Sequence, residues 1–112
     1  MLFSSVILFA VAALGGLLLG VLGLRQRDLP MWLSLIHGVV AAAGLITLIL
    51  GVVQGSAGLL PIIALILFVI AALGGFVLFS YHLRRKPHPK GLIVTHALAT
   101  VIAFVLLLIG IL

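Results

Sequence analysis

The 112-residue sequence contains no cysteine and a single acidic side chain, Asp28, which sits beside two arginines in a turn. Without thiols there can be no disulfide, no thiolate nucleophile and no iron–sulfur ligation. A lone carboxylate leaves no partner for paired general acid–base work and no carboxylate relay through an apolar interior. No glycine pattern has the strand and helix context of a phosphate-binding loop. Charged residues amount to only 6% of the chain, while 66% is hydrophobic. That balance lies far outside the range of soluble domains and predicts an all-α membrane protein. The length leaves room for one domain, residues 1–112.

The net charge of +5 raises the question of nucleic acid, but the placement of the charges answers it. Arg25, Arg27, Arg84, Arg85, Lys86 and Lys90 all fall in two short connections between apolar segments. Nucleic acid is therefore not expected as a partner. The cations read as topology determinants in contact with the lipid bilayer and its anionic headgroups.

Residues 2–24 form an apolar run long enough to cross a bilayer core, which needs roughly 20 residues of helix. Its basic residues follow the run instead of preceding it, unlike a secretory signal, so it is expected to be a retained helix. The connection RQRDLP leads into a second helix from about Met31 to Val53, with Pro30 suited to its first turn. A small-residue turn at 54–58 precedes a third helix from near Leu60 to about His82, with Pro61 at its start. The polar stretch LRRKPHPKG follows, and a fourth helix is expected over Gly91 to Leu112.

The chain repeats itself. AALGG, an arginine, a proline and a histidine recur at one offset of 59 residues: Gly15 and Gly16 with Gly74 and Gly75, Arg25 with Arg84, Pro30 with Pro89, His37 with His96. Aligned without gaps, 16 of 53 positions are identical. The expected architecture is therefore a four-transmembrane-helix bundle made of two tandem parallel helical-hairpin repeats, 1–53 and 60–112. Both basic connections (25–30 and 84–90) must share one side. The positive-inside rule makes that side cytoplasmic and leaves both termini outside, as in a bacterial inner membrane. Parallel repeats imply a pseudo-twofold axis along the membrane normal. If the helices pack in cyclic order, the second and fourth are diagonal partners.

Spacings of three and four mark one inward face on each helix. These faces are Ser5, Phe9, Ala12, Gly16, Leu19 and Gly23; then Ser34, His37, Ala41, Gly44, Leu48 and Gly51. In the second repeat they are Ala64, Phe68, Ala71, Gly75, Leu78 and His82; then His96, Thr100, Ala103, Leu107 and Gly110. His37 and His96 lie about 10 Å along their helices from Pro30 and Pro89, and the double glycines lie about 14 Å from Arg25 and Arg84. Histidines and glycines thus occupy overlapping levels. The expectation is two histidines facing each other across a gap walled by glycine.

An ionisable residue inside a transmembrane segment is a functional-site hypothesis by default. Iron in haem takes two axial imidazoles from opposite sides of a flat ring, and a pseudo-twofold axis supplies such a pair. Gly15, Gly16, Gly74 and Gly75 would clear space for the ring. Arg25, Arg84 and His82 lie at the end where propionates would need cations. In these features the layout resembles the four-helix membrane b-type cytochromes of the cytochrome b561 kind. The resemblance implies bis-histidine haem b with His37 and His96 as iron ligands, one-electron transfer, and quinone or a redox protein as partner. Such a protein is an electron carrier more than a substrate-converting enzyme. The two-haem members of that group use four intramembrane histidines, so this chain, with two well inside, would hold one haem unless His82 contributes.

Other readings remain open on sequence grounds. The histidines could bond each other, Thr95, Thr100, Ser34 or a backbone carbonyl and fix helix register in a cofactor-free structural or assembly subunit. A small transporter or channel, as a homo-oligomer, lacks intramembrane acids and discontinuous-helix signals. A zinc-type site lacks a third or fourth ligand. His88, between Pro87 and Pro89, reads as a solvated loop residue, and Trp32 and Tyr81 as interfacial anchors.

Overall fold

The computed structural model describes residues 1–55 and 57–112; Ser56, within the expected 54–58 turn, lies outside the described residues. The chain forms four helices, α1 (Leu2–Leu24), α2 (Met31–Val53), α3 (Leu59–Leu83) and α4 (Lys90–Ile111). Each is long and apolar enough to span a membrane. The bounds match the sequence expectation to within a residue or so.

The prolines mark the helix starts differently from one another. Pro30 and Pro89 are N-caps, one position before the first turn, in extended conformations with φ of −62° and −61°. Their carbonyls accept the first intrahelical bonds, from Ser34 N (3.2 Å) and Ile93 N (3.0 Å). Pro61 sits inside the first turn of α3, where its missing N–H leaves no partner unsatisfied. Gly58, the N-cap of α3, has φ 78° and ψ 178°, a region essentially restricted to glycine.

The two basic connections share one backbone. Arg25 and Arg84 close α1 and α3 with φ near −85°, and the next residues, Gln26 and Arg85, both have φ 54°. The N–H of Gln26 donates to Gly23 O (3.1 Å) and that of Arg27 to Leu22 O (2.9 Å). Arg85 to His82 O (3.1 Å) and Lys86 to Tyr81 O (3.0 Å) repeat the pattern 59 positions later. This is the Schellman C-cap, with a left-handed residue where glycine usually stands.

The helices pack in cyclic order. α1 lies closely along α2 and α3 along α4; α1–α4 and α2–α3 touch less extensively. Among the described residues no Cα pair comes within 8 Å across either diagonal, so α2 and α4 are diagonal as expected. One diagonal is bridged by side chains: Phe9 of α1 and Phe68 of α3 stack with centroids 3.8 Å apart and planes 4° from parallel. With Leu48, Ala64, Ala103 and Leu107 they form the buried core. Most buried helix residues fall on the inward faces read from the sequence; Leu33, Pro61 and Ile93 are the additions.

That core occupies only the half of the bundle near the termini. In the other half, no residue within 13–22, 34–43, 72–83 or 94–102 is fully buried. The histidines lie in this second half. The outer surface of all four helices is apolar, with Phe3, Leu14, Val39, Phe76 and Leu98 among the exposed side chains.

Candidate functional site around His37 and His96

Each histidine is seated on the neighbouring helix of its own hairpin. His37 Nδ1 lies 2.8 Å from the Ala12 carbonyl oxygen, and His96 Nδ1 lies 2.8 Å from that of Ala71. A carbonyl oxygen only accepts, so in both rings Nδ1 carries the proton and donates. The neutral ring then keeps a lone pair at Nε2, and no hydrogen bond to either Nε2 occurs among the described residues; no buried side-chain nitrogen or oxygen there lacks a partner, so both Nε2 atoms reach the bundle surface.

The double glycines make this possible. Side chains on a helix lean towards its N-terminus and cover the carbonyl one turn back. Gly16 and Gly75 stand four residues after Ala12 and Ala71, so those carbonyls are left uncovered. A Cβ on Gly16 would lie 2.8 Å from His37 Cε1, and one on Gly75 would lie 3.2 Å from His96 Cε1. A Cβ on Gly15 or Gly74 would meet the same rings only at ordinary contact distance, 3.9 and 3.8 Å from Nδ1. The glycine faces expected to wall an open gap are thus occupied by the imidazoles themselves. Both rings are half-buried and stand on diagonal helices.

The hydroxyls named as histidine partners turn elsewhere. Thr95 donates to Gly91 O (2.7 Å) and Thr100 to Ala97 O (2.8 Å), each within its own helix. Ser34 Oγ pairs with His82 Nδ1 at 3.0 Å. This bond joins α2 to α3 and therefore one hairpin to the other. The equivalent seam between α4 and α1 is apolar, with Ile93 Cδ1 2.9 Å from where a Gly23 Cβ would stand.

His82 also meets the edge of His88, with ring centroids 6.0 Å apart. His88, expected to be a solvated loop residue, is half-buried. Burial, followed by the nearby His82, pushes its imidazole below the ordinary range, and the Leu78 backbone carbonyl partly offsets them. Arg84 is held by its own helix, donating from Nε to Ser80 O (3.2 Å) and from Nη2 to Ser80 Oγ (3.3 Å). Its guanidinium lies 4.6 Å from the Tyr81 ring centroid. Arg25 is exposed.

The structure therefore groups His37 with Gly15 and Gly16, His96 with Gly74 and Gly75, and His82 with Ser34 and His88. The carbonyls of Ala12 and Ala71 were absent from the sequence-based site, although a glycine four residues downstream is a usable signal for them. Among the described residues, no three His, Cys, Asp or Glu side chains gather into an ion site. Comparison with protein-family models, with curated proteins and with solved structures finds no match to this chain. Function must then be argued from the site alone.

Proposed function

We propose that the protein is an integral membrane b-type cytochrome, an electron carrier holding one haem b between His37 of α2 and His96 of α4. It is built from two tandem hairpin repeats. The observation that carries this reading is the paired imidazole state: both Nδ1 protons are committed to backbone carbonyls, and both Nε2 lone pairs lack a protein partner. An imidazole used only as a hydrogen-bonding strut would leave its Nε2 unpaired at the apolar surface of the bundle, which is costly where that surface meets lipid. A metal-ligating histidine, by contrast, typically donates its other N–H to a carbonyl or carboxylate, which fixes the ring and raises its basicity. Two neutral imidazoles, each with Nδ1 committed to a carbonyl, are the kind of donors that would hold a haem iron.

The incomplete burial of the histidine half is consistent with the same reading, since a cofactor would supply apolar area that the chain does not. Haem, when bound, supplies a one-electron redox centre. The chain's own residues divide the remaining work. His37 and His96 would hold the iron, while the Ala12 and Ala71 carbonyls orient the two rings and the glycines admit them. Arg25, Arg84 and His82, at the same end of the bundle, would neutralise carboxylates near the interface. We place the connections 25–30 and 84–90 on the cytoplasmic side of a bacterial inner membrane and both termini outside, from the charge distribution. Quinone or a redox protein is the partner in this reading, and a homo-oligomer is compatible with it.

A second reading has its own observation. The glycine notches are filled by imidazole, so His37 and His96 can serve as clasps within each hairpin of a cofactor-free structural subunit. Absorbance of protein purified from haem-sufficient cells, oxidised and then dithionite-reduced, separates the two. The cytochrome reading expects a low-spin b-type spectrum that is lost in His37→Ala and in His96→Ala and kept in His88→Ala. Absence of haem from well-folded protein would leave the clasp.

A further inference from the structure

The connections after α1 and α3 offer a controlled comparison, because their backbones coincide while their side chains do not. Position by position, Val21, Leu22 and Gly23 in the first hairpin become Ser80, Tyr81 and His82 in the second. Gln26, Leu29 and Met31 become Arg85, His88 and Lys90. The first connection carries Arg25, Arg27 and Asp28, a net charge of +1; residues 84–90 carry Arg84, Arg85, Lys86 and Lys90, a net charge of +4 with His88 neutral.

The second corner is also the more ordered in its polar contacts. Arg84 is fixed by Ser80 and lies over Tyr81, whereas Arg25 has no Ser80 or Tyr81 counterpart. His82 and His88 meet in a T-shaped contact beside it. No acidic side chain lies in this corner, so its cations have no carboxylate partner within it. From this corner along α3 the surface is apolar and open: Leu83, within the corner, is 60% exposed and Phe76, two turns away, 72% exposed.

We propose that the corner formed by residues 80–90 is a binding site for one anionic phospholipid. Its phosphate would be met by Arg85, Lys86 and Lys90, and its acyl chains would lie along the apolar α3 face that carries Phe76. The continuity of a cationic patch with an exposed apolar face selects an amphiphile over a free phosphate ion. The arginines contribute planar, multiply donating groups suited to phosphate oxygens. The site rests on the reading that the helices span a membrane and is independent of haem.

The test exchanges the two corners' side chains on their shared backbone. The variant Arg85→Gln/His88→Leu/Lys90→Met gives the second corner the first one's residues at those positions. The reciprocal variant Gln26→Arg/Leu29→His/Met31→Lys does the opposite. Each protein is purified in detergent and titrated with phosphatidylglycerol or phosphatidylcholine, and bound lipid is counted by native mass spectrometry. Wild-type protein should retain one phosphatidylglycerol at least tenfold more tightly than phosphatidylcholine. The first variant should lose that preference and the reciprocal variant should retain a second phosphatidylglycerol. Equal retention of the two lipids by wild type overturns the proposal, as does an unchanged count in both variants. Displacement of the lipid by millimolar inorganic phosphate would overturn it in favour of a free-anion site. The haem spectrum is read on the same samples, so failure here is distinguishable from failure of the cytochrome reading.

Discussion

In the first hairpin, Gly23 receives Ile93 of α4 against bare backbone; in the second, the equivalent position is His82, which bonds Ser34 of α2. One seam between hairpins is thus apolar and sealed, and the other is polar. Within each hairpin the reverse holds. His37 on Ala12 and His96 on Ala71 are the same contact at the same 2.8 Å, and Phe9 meets Phe68 on the diagonal between them. The lesson is that the contacts inside each hairpin are common to both, and those at the seams and corners are where the hairpins differ. A contact serving the shared site should respond alike in both hairpins, and one serving a specialised role should not.

The largest expected effect tests the shared part. Removing either ring loses one hydrogen bond between helices and leaves its glycine notch empty. His37→Ala and His96→Ala should each destabilise the bundle by about 2 kcal/mol, combining a bond worth about 0.6–1.7 with lost packing. Reversible unfolding in mixed micelles checks this, with the two values expected within about 0.5 kcal/mol of each other, the scatter typical of independent sites. A difference several times larger would mean that the hairpins do not use their histidines alike. Next comes a predicted inequality. A Cβ at Gly16 would stand 2.8 Å from His37 Cε1, but one at Gly75 would stand 3.2 Å from His96 Cε1. Gly16→Ala should therefore cost about 2 kcal/mol and Gly75→Ala about 1, within the range of overpacking. The reverse order would show that the ring in the first hairpin yields more easily.

Much of this was legible from residues alone. The helix bounds, the inward faces and the diagonal placement of α2 and α4 follow from hydrophobic run length, three–four spacing and short connections. The overlap in depth of glycine and histidine was legible too, but depth does not say whether a ring faces the bundle centre or its nearest neighbour. The choice was made by two bare carbonyls, visible only through the direction in which helical side chains lean. The Schellman caps were not legible, because Gln26 and Arg85 occupy left-handed positions that usually announce themselves as glycine. Nor was the placement of the core, since apolar residues are spread evenly along every helix and only packing shows which half they fill.

Those caps give the third prediction. Both Gln26 and Arg85 hold φ 54°, a conformation costing an L-residue roughly 1 kcal/mol that glycine avoids. Gln26→Gly and Arg85→Gly should each stabilise the bundle by about 0.5–1 kcal/mol. Equal gains are expected because the backbones coincide. A gain at Gln26 alone would show that the Arg85 side chain offsets its own strain through a contact worth as much. Smaller still is the polar seam. Ser34→Ala removes the bond to His82 and should cost about 0.6 kcal/mol, the average for such contacts in membranes.

The smallest effect concerns pH and belongs to the second hairpin alone, since the position equivalent to His88 is Leu29. Burial and the neighbouring His82 hold the His88 imidazole below its ordinary range, so the folded chain binds its proton less readily than the unfolded chain does. Stability from this group is therefore fully present above the unfolded value near 6.5. It falls as acidification passes through that value, because the unfolded state takes the proton first; once the folded state is also protonated, the loss levels off. The thermal midpoint in detergent should drop between pH 7.5 and 5.5 in wild-type protein and drop less in His88→Leu. Parallel pH profiles for the two proteins would mean that His88 is as free to ionise in the folded corner as in the unfolded chain. The packing of His88 against His82 would then carry no energetic weight in the protonation of this corner.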